Sequence, residues 1–116
     1  MFKKHGSFLK LYFLFLFISE ARAVTLTSSQ SDYSTSADIT TSGVGISSSF
    51  SGSSSSLNKI KNFHKITTGN SSATASAYGI RSTGNYNQIT NNNGAVILTT
   101  GSSGRGISIA NNSVVI

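Results

Sequence analysis

His64 is the only histidine beyond residue 23, where it stands within Lys61-Asn62-Phe63-His64-Lys65. Imidazole is the side chain that titrates near neutrality, so any proton relay would begin there. A Ser-His-Asp arrangement would draw on Asp32 or Asp38, the only two acids beyond residue 23. Nothing in the spacing positions these groups, and serines are so common that any of them would fit. His64 therefore reads as a surface histidine between Ile60 and Ile66. Lyases, glycosidases and cation sites need clustered carboxylates, and two scattered acids do not supply them. Gly69, Gly79, Gly84, Gly94, Gly101, Gly104 and Gly106 are not followed by Gly-Lys-Ser/Thr or by a helix, so they read as turn residues rather than a phosphate loop. No catalytic residue, metal ligand or cofactor-binding residue is assigned, and the chain is read as not an enzyme.

Two groups of residues point instead to binding. Lys59, Lys61 and Lys65 alternate with Phe63 along one strand face. They form either a small patch for anionic glycans or lipid headgroups, or a solvated edge guarded by lysines. Tyr78, Arg81 and Tyr86 lie on or beside a long loop. They form either a sugar-stacking site or scattered surface aromatics.

The elements that must position these residues repeat. Ile66-Thr67-Thr68-Gly69, Tyr78-Gly79-Ile80 and Asn87-Gln88-Ile89-Thr90-Asn91 are followed by Leu98-Thr99-Thr100-Gly101, Arg105-Gly106-Ile107 and, after asparagines, Ile116. Carried backward, the pattern meets Ile39-Thr40-Thr41, Ser42-Gly43-Val44-Gly45-Ile46 and Asn58-Lys59-Ile60-Lys61-Asn62. Three units thus start at Ile39, Ile66 and Leu98, 27 and 32 residues apart. The connection from Gly-Ile to the next isoleucine is 14 residues in the first unit (Ile46 to Ile60) and 9 in the second (Ile80 to Ile89). Constant strands joined by variable loops are the mark of a solenoid.

The fold expected over residues 39–116 is all-β, a right-handed parallel β-helix (β-solenoid) of about three coils. One inward stack is Ile39, Ile66 and Leu98. The second is Ile46, Ile80 and Ile107, and the third is Ile60, Ile89 and Ile116. Thr and Ile suit strands, while Gly and Asn accept the turns between them. Residues 24–38 begin with Val24-Thr25-Leu26-Thr27, which alternates like a strand. Ser28 to Ser36 is either a polar linker or an entry strand that caps the first coil.

Composition bounds the rest. The 116 residues are 37% hydrophobic and only 10% charged, with no Cys, Pro or Trp. Without Cys, disulfides and thiolate metal sites are excluded. The net charge of +6 is concentrated at the start. Beyond residue 23, five bases (Lys59, Lys61, Lys65, Arg81, Arg105) face two acids, leaving +3 and no nucleic-acid signal. Lys3, Lys4 and Lys10 precede the apolar run Leu11 to Ile18, and Ala21-Arg22-Ala23 is small-x-small. That order predicts a helical secretory signal peptide over 1–23, cleaved after Ala23 and read by the Sec machinery. The apolar run is short of the roughly 20 residues that span a bilayer, so no transmembrane segment is expected in the mature chain.

Signal peptide and coils of the form Thr-Thr-Gly…Tyr-Gly-Ile…Asn-x-Ile-x-Asn together resemble the N-terminal end of an autotransporter (type V secretion) passenger. The resemblance covers the signal and residues 39–116. It implies export to a bacterial cell surface, an outer membrane or the medium. It also implies a structural or adhesive role toward glycans or proteins of host or neighbouring cells. Absence of Cys suits threading through an outer-membrane pore. No catalytic or binding position carries over. The family's C-terminal barrel needs at least about eight amphipathic strands, which this sequence lacks. The chain is accordingly expected to be an N-terminal fragment. A scaffold for a carbohydrate-active enzyme and a short unfolded secreted polar protein are the alternatives.

Overall fold

The computed structural model describes residues 22–27, 32–69 and 76–116. The expected signal helix and Ala21 lie outside the described residues. Ala23 is exposed, directly before the first strand.

Eleven strands and no helix form among the described residues: β1 (Val24–Leu26), β2 (Asp32–Ser34), β3 (Ile39–Thr41), β4 (Val44–Ser48), β5 (Asn58–Asn62), β6 (Lys65–Thr68), β7 (Tyr78–Ser82), β8 (Asn87–Asn91), β9 (Val96–Thr99), β10 (Arg105–Ser108) and β11 (Val114–Val115). All pair in parallel, in three sheets. Sheet 1 has the order β1-β4-β7-β10, sheet 2 has β2-β5-β8-β11, and sheet 3 has β3-β6-β9. The chain visits the three sheets in turn, so each strand pairs with its equivalent one layer away. This is the pairing of a parallel β-solenoid. The polar segment before Asp38 is not only linker, because it contributes β2, paired with β5.

Side-chain alternation explains the interior. In β5, Asn58, Ile60 and Asn62 are buried, while Lys59 and Lys61 are partly exposed. The inward isoleucines stack into ladders: Val24–Ile46–Ile80–Ile107 in sheet 1 and Tyr33–Ile60–Ile89 in sheet 2. Ile39, Ile46, Ile60, Ile66, Ile80 and Ile89 are 0–1% exposed. At about 1.5–3 kcal/mol for each fully buried side chain, they are the main apolar contribution to stability.

Asparagines flank the sheet 2 ladder on both sides. Asn58 Nδ2 donates to Asn87 Oδ1 at 2.7 Å, and Asn62 Nδ2 donates to Asn91 Oδ1 at 2.8 Å. Below them, Thr35 Oγ1 donates to Asn62 Oδ1 at 3.1 Å. The sequence reading gave asparagine to the turns. In these ladders it is instead an interior residue whose amide donates to the asparagine of the next layer, while Asn58 Oδ1 at the foot of one ladder is buried without a partner.

Two expected ladder positions are corrected by one residue. Ile66 is in register with Ile97, not Leu98, and Leu98 is 46% exposed. Val96-Ile97-Leu98 is apolar throughout, so hydrophobicity cannot choose its phase. The corner chooses it. Asn62 Nδ2 donates to His64 O, and Lys65 starts β6; Asn91 Nδ2 donates to Ala95 O, and Val96 starts β9. Lys65 and Val96 are therefore partners, and Ile97 follows into the stack. Likewise Val115, not Ile116, is opposite Ile89, and Ile116 is 66% exposed. Its backbone fixes this, with Ile116 N donating to Ile89 O at 2.8 Å.

The Gly-Ile pairs have a packing cause. A Cβ on Gly45 would meet Ile66 Cγ2 at 2.6 Å and Gly79 O at 2.6 Å, and one on Gly79 would meet Gly106 O at 2.6 Å and crowd Ile97 Cγ2 more closely still. Sheet 3 isoleucines occupy the space that glycine leaves in sheet 1.

Candidate binding surfaces

The longer first connection, residues 49–57, builds the relief of the molecule. It is tied to the turn of the next layer: Gly52 N donates to Asn85 O at 3.0 Å and Asn58 N to Tyr86 O at 3.1 Å. Tyr86 takes a positive φ of 57° in that turn. Ser53 and Ser56 exchange backbone hydrogen bonds of 2.9 and 3.1 Å, which closes the tip. Beside it, an open groove of about 610 Å³ is lined by Asp32, Ser54, Ser55, Ser56, Leu57, Lys59 and Gln88. Asp32, Lys59 and Gln88 are register partners in adjacent strands, so the groove floor is one ladder of acid, base and amide. A smaller hollow of about 310 Å³ runs along the same loop from Phe50 to Asn58 at the start of β5. The unequal loop lengths were readable in the sequence. The meeting of Asp32, Lys59 and Gln88 needed the register.

The lysine row is divided by a corner. Lys59 and Lys61 lie on β5 of sheet 2, but Lys65 begins β6 of sheet 3. Phe63, 51% exposed, stands between them at the turn. The expected single strand face of Lys59, Lys61, Phe63 and Lys65 is thus two faces with an aromatic at the edge.

His64 does meet one of its two candidate acids. Its Nδ1 lies 3.8 Å from Asp38 Oδ1, and the same carboxylate oxygen accepts the Lys65 N–H at 3.1 Å. At 3.8 Å the imidazole is not hydrogen-bonded to the carboxylate. Both side chains are open to water, 37% and 64% exposed. Asp32 sits elsewhere, on β2. Among the described residues no serine hydroxyl is hydrogen-bonded to the His64 ring, and the pair is a contact at the surface. Its adjacency was legible: with Ile39 opposite Ile66, residues 38 and 65 must be neighbours.

The aromatic group is also rearranged. Tyr78 and Arg81 are both on β7, with the guanidinium carbon 5.1 Å from the ring centroid, a cation–π stack. Tyr86 is in the turn beyond β7 and serves Asn58 through its carbonyl. In place of Tyr86, the register brings Arg105 next to Tyr78, and Ser47 and Ser108 to either side of Arg81.

Burial against the core pushes the Tyr33 phenol above its ordinary 10.0. No group of three or more His, Cys, Asp or Glu able to hold a metal occurs among the described residues, and no helix there is long and apolar enough to cross a membrane. No protein-family model, curated protein or solved structure matches this chain.

Proposed function

We propose that the chain is an exported, surface-displayed structural and adhesive module, a right-handed β-helix passenger of the autotransporter kind with about three coils. Residues 1–23 deliver it to the Sec machinery. Surface glycans or proteins of host or neighbouring cells are its partners. The observation that carries this reading is the division of labour within each strand. Inward positions repeat as Ile, Asn and Thr ladders, while outward positions change from layer to layer and carry the grooves and charges. A rigid parallel stack with freely variable faces is what a display scaffold needs. Six isoleucines at 0–1% exposure weigh against an unfolded polar chain.

The Asp32–Lys59–Gln88 groove favours one further reading, the scaffold part of a carbohydrate-active enzyme. A single carboxylate there lacks the partner that glycoside hydrolysis requires, so retention of a ligand is the better reading than turnover.

Two measurements test the proposal. Residues 1–23 fused to alkaline phosphatase should give periplasmic activity, and an Ala21→Lys/Ala23→Lys variant should lose processing. An epitope inserted at Ser54, in the exposed loop tip, should be stained on intact bacteria and removed by external protease. Staining only after lysis would sink surface display, and an inactive fusion would sink export.

A further inference from the structure

We infer that the outer side of sheet 1 around Tyr78, Arg81 and Arg105 binds an acidic polysaccharide, one that carries carboxylates or sulfates along an extended chain. The inference rests on the adhesive reading and names its ligand class. Tyr78 and Arg105 are direct partners on neighbouring strands, and Arg81 stacks on the Tyr78 ring at 5.1 Å. One guanidinium therefore lies on the phenol, and the residue carrying the second is its partner in the next layer. Both arginines are exposed, and Tyr78 is partly exposed.

No carboxylate among the described residues neutralises either arginine. Strands β1, β4, β7 and β10 contain no acid. The acids among the described residues are Asp32 on β2 and Asp38 just before β3, and no described carboxylate lies within 4.0 Å of Arg81 or Arg105. Of the lysines, Lys59 has an acid, Asp32, as its register neighbour, which neither arginine has.

The chemistry selects the ligand. A guanidinium forms paired parallel hydrogen bonds to a carboxylate or sulfate, which an ammonium does not. Stacking on Tyr78 holds one of the two guanidiniums in a fixed plane. Ser47 and Ser108, beside Arg81 in the same ladder, supply hydroxyls for sugar oxygens. The cations are on successive strands of a parallel stack, about 4.8 Å apart in the pairing direction. A polymer with repeating charges, lying along the stack, meets them in turn.

The test is retention of the purified full chain on immobilised polygalacturonate and, separately, on heparin, which distinguishes carboxylate from sulfate ligands. The wild-type chain should bind at least one of them, with affinity falling as salt rises. Arg81→Gln/Arg105→Gln should weaken binding at least tenfold. Arg81→Lys/Arg105→Lys, which keeps the charge and loses the paired geometry, should weaken it several-fold. Lys61→Gln/Lys65→Gln removes the same charge from sheets 2 and 3, away from the groove, and should change binding less than twofold. Circular dichroism of each variant should match wild type, since these side chains are outside the core. Equal losses from the arginine and lysine pairs would overturn the inference, as would equal competition by single-stranded DNA of the same charge. Failure to bind either polymer would overturn it while leaving surface display, tested by the Ser54 epitope, standing.

Discussion

Ile60 and Val115 belong to one ladder of sheet 2, two strands apart, and face the same interior. Ile60 is 0% exposed and Val115 is 44% exposed. Ile66 and Ile97 repeat the contrast in sheet 3, buried against half-buried. What separates them is the neighbour above. A middle strand is covered on both sides along the stack, and a final strand on one. In this fold a side chain's contribution is set by its layer as much as by its type.

That contrast can be broken first at its strongest point. Ile60→Ala should cost about 2–5 kcal/mol, because the cavity is closed in by strands on both sides. Val115→Ala, a truncation one carbon smaller at a position 44% exposed, should cost under about 1 kcal/mol, a gap wider than the missing carbon alone would explain. Urea unfolding of the two variants compares them directly, and equal losses would mean that burial along the stack does not govern stability.

The polar ladder should follow the same rule. Asn62→Ala strands Thr35, His64 and Asn91 groups at once, for about 2–3 kcal/mol of destabilisation. Asn91→Ala, one layer nearer the end, should lose less in the same urea series.

Glycine offers a steric version. Gly79→Ala would press on Ile97 and Gly106 and should cost about 1–3 kcal/mol. Its register equivalent Gly106 has only Ile97 Cγ2 at 4.0 Å, so Gly106→Ala should be close to neutral. Thermal midpoints of the pair would show it.

The smallest effect is a pH dependence. Burial holds the Tyr33 phenol above its ordinary 10.0, so the unfolded chain loses that proton first. The native state then binds more protons than the unfolded state between the two values, and stability falls as pH rises above about 10. Tyr33→Phe should flatten that alkaline loss in denaturation curves between pH 9 and pH 11.

Much of this architecture was legible. Recurring isoleucines at Ile39, Ile46, Ile60, Ile66, Ile80, Ile89 and Ile107 marked the ladders, because a strand's period of two admits few alternatives when one face is polar. Where both faces are apolar the rule has no purchase, and Leu98 and Ile116 were misplaced for that reason. The asparagines carried a signal that was readable but unused. Asn58 and Asn62 are two residues either side of Ile60, hence on its face. The surfaces were harder to read. Arg105 joins Tyr78 only through pairing across 27 residues, and the groove needs both the loop and the register.

The corner amides of Asn62 and Asn91 have a consequence for how such a chain changes over time. Asn62 reaches a carbonyl two residues on, and Asn91 reaches one four residues on, yet each is followed by a strand in the same phase. The amide acts as punctuation. Residues added between it and the carbonyl lengthen a surface bend and leave the downstream frame unshifted. A gene encoding such a stack can gain or lose codons at its corners while every later layer keeps its place.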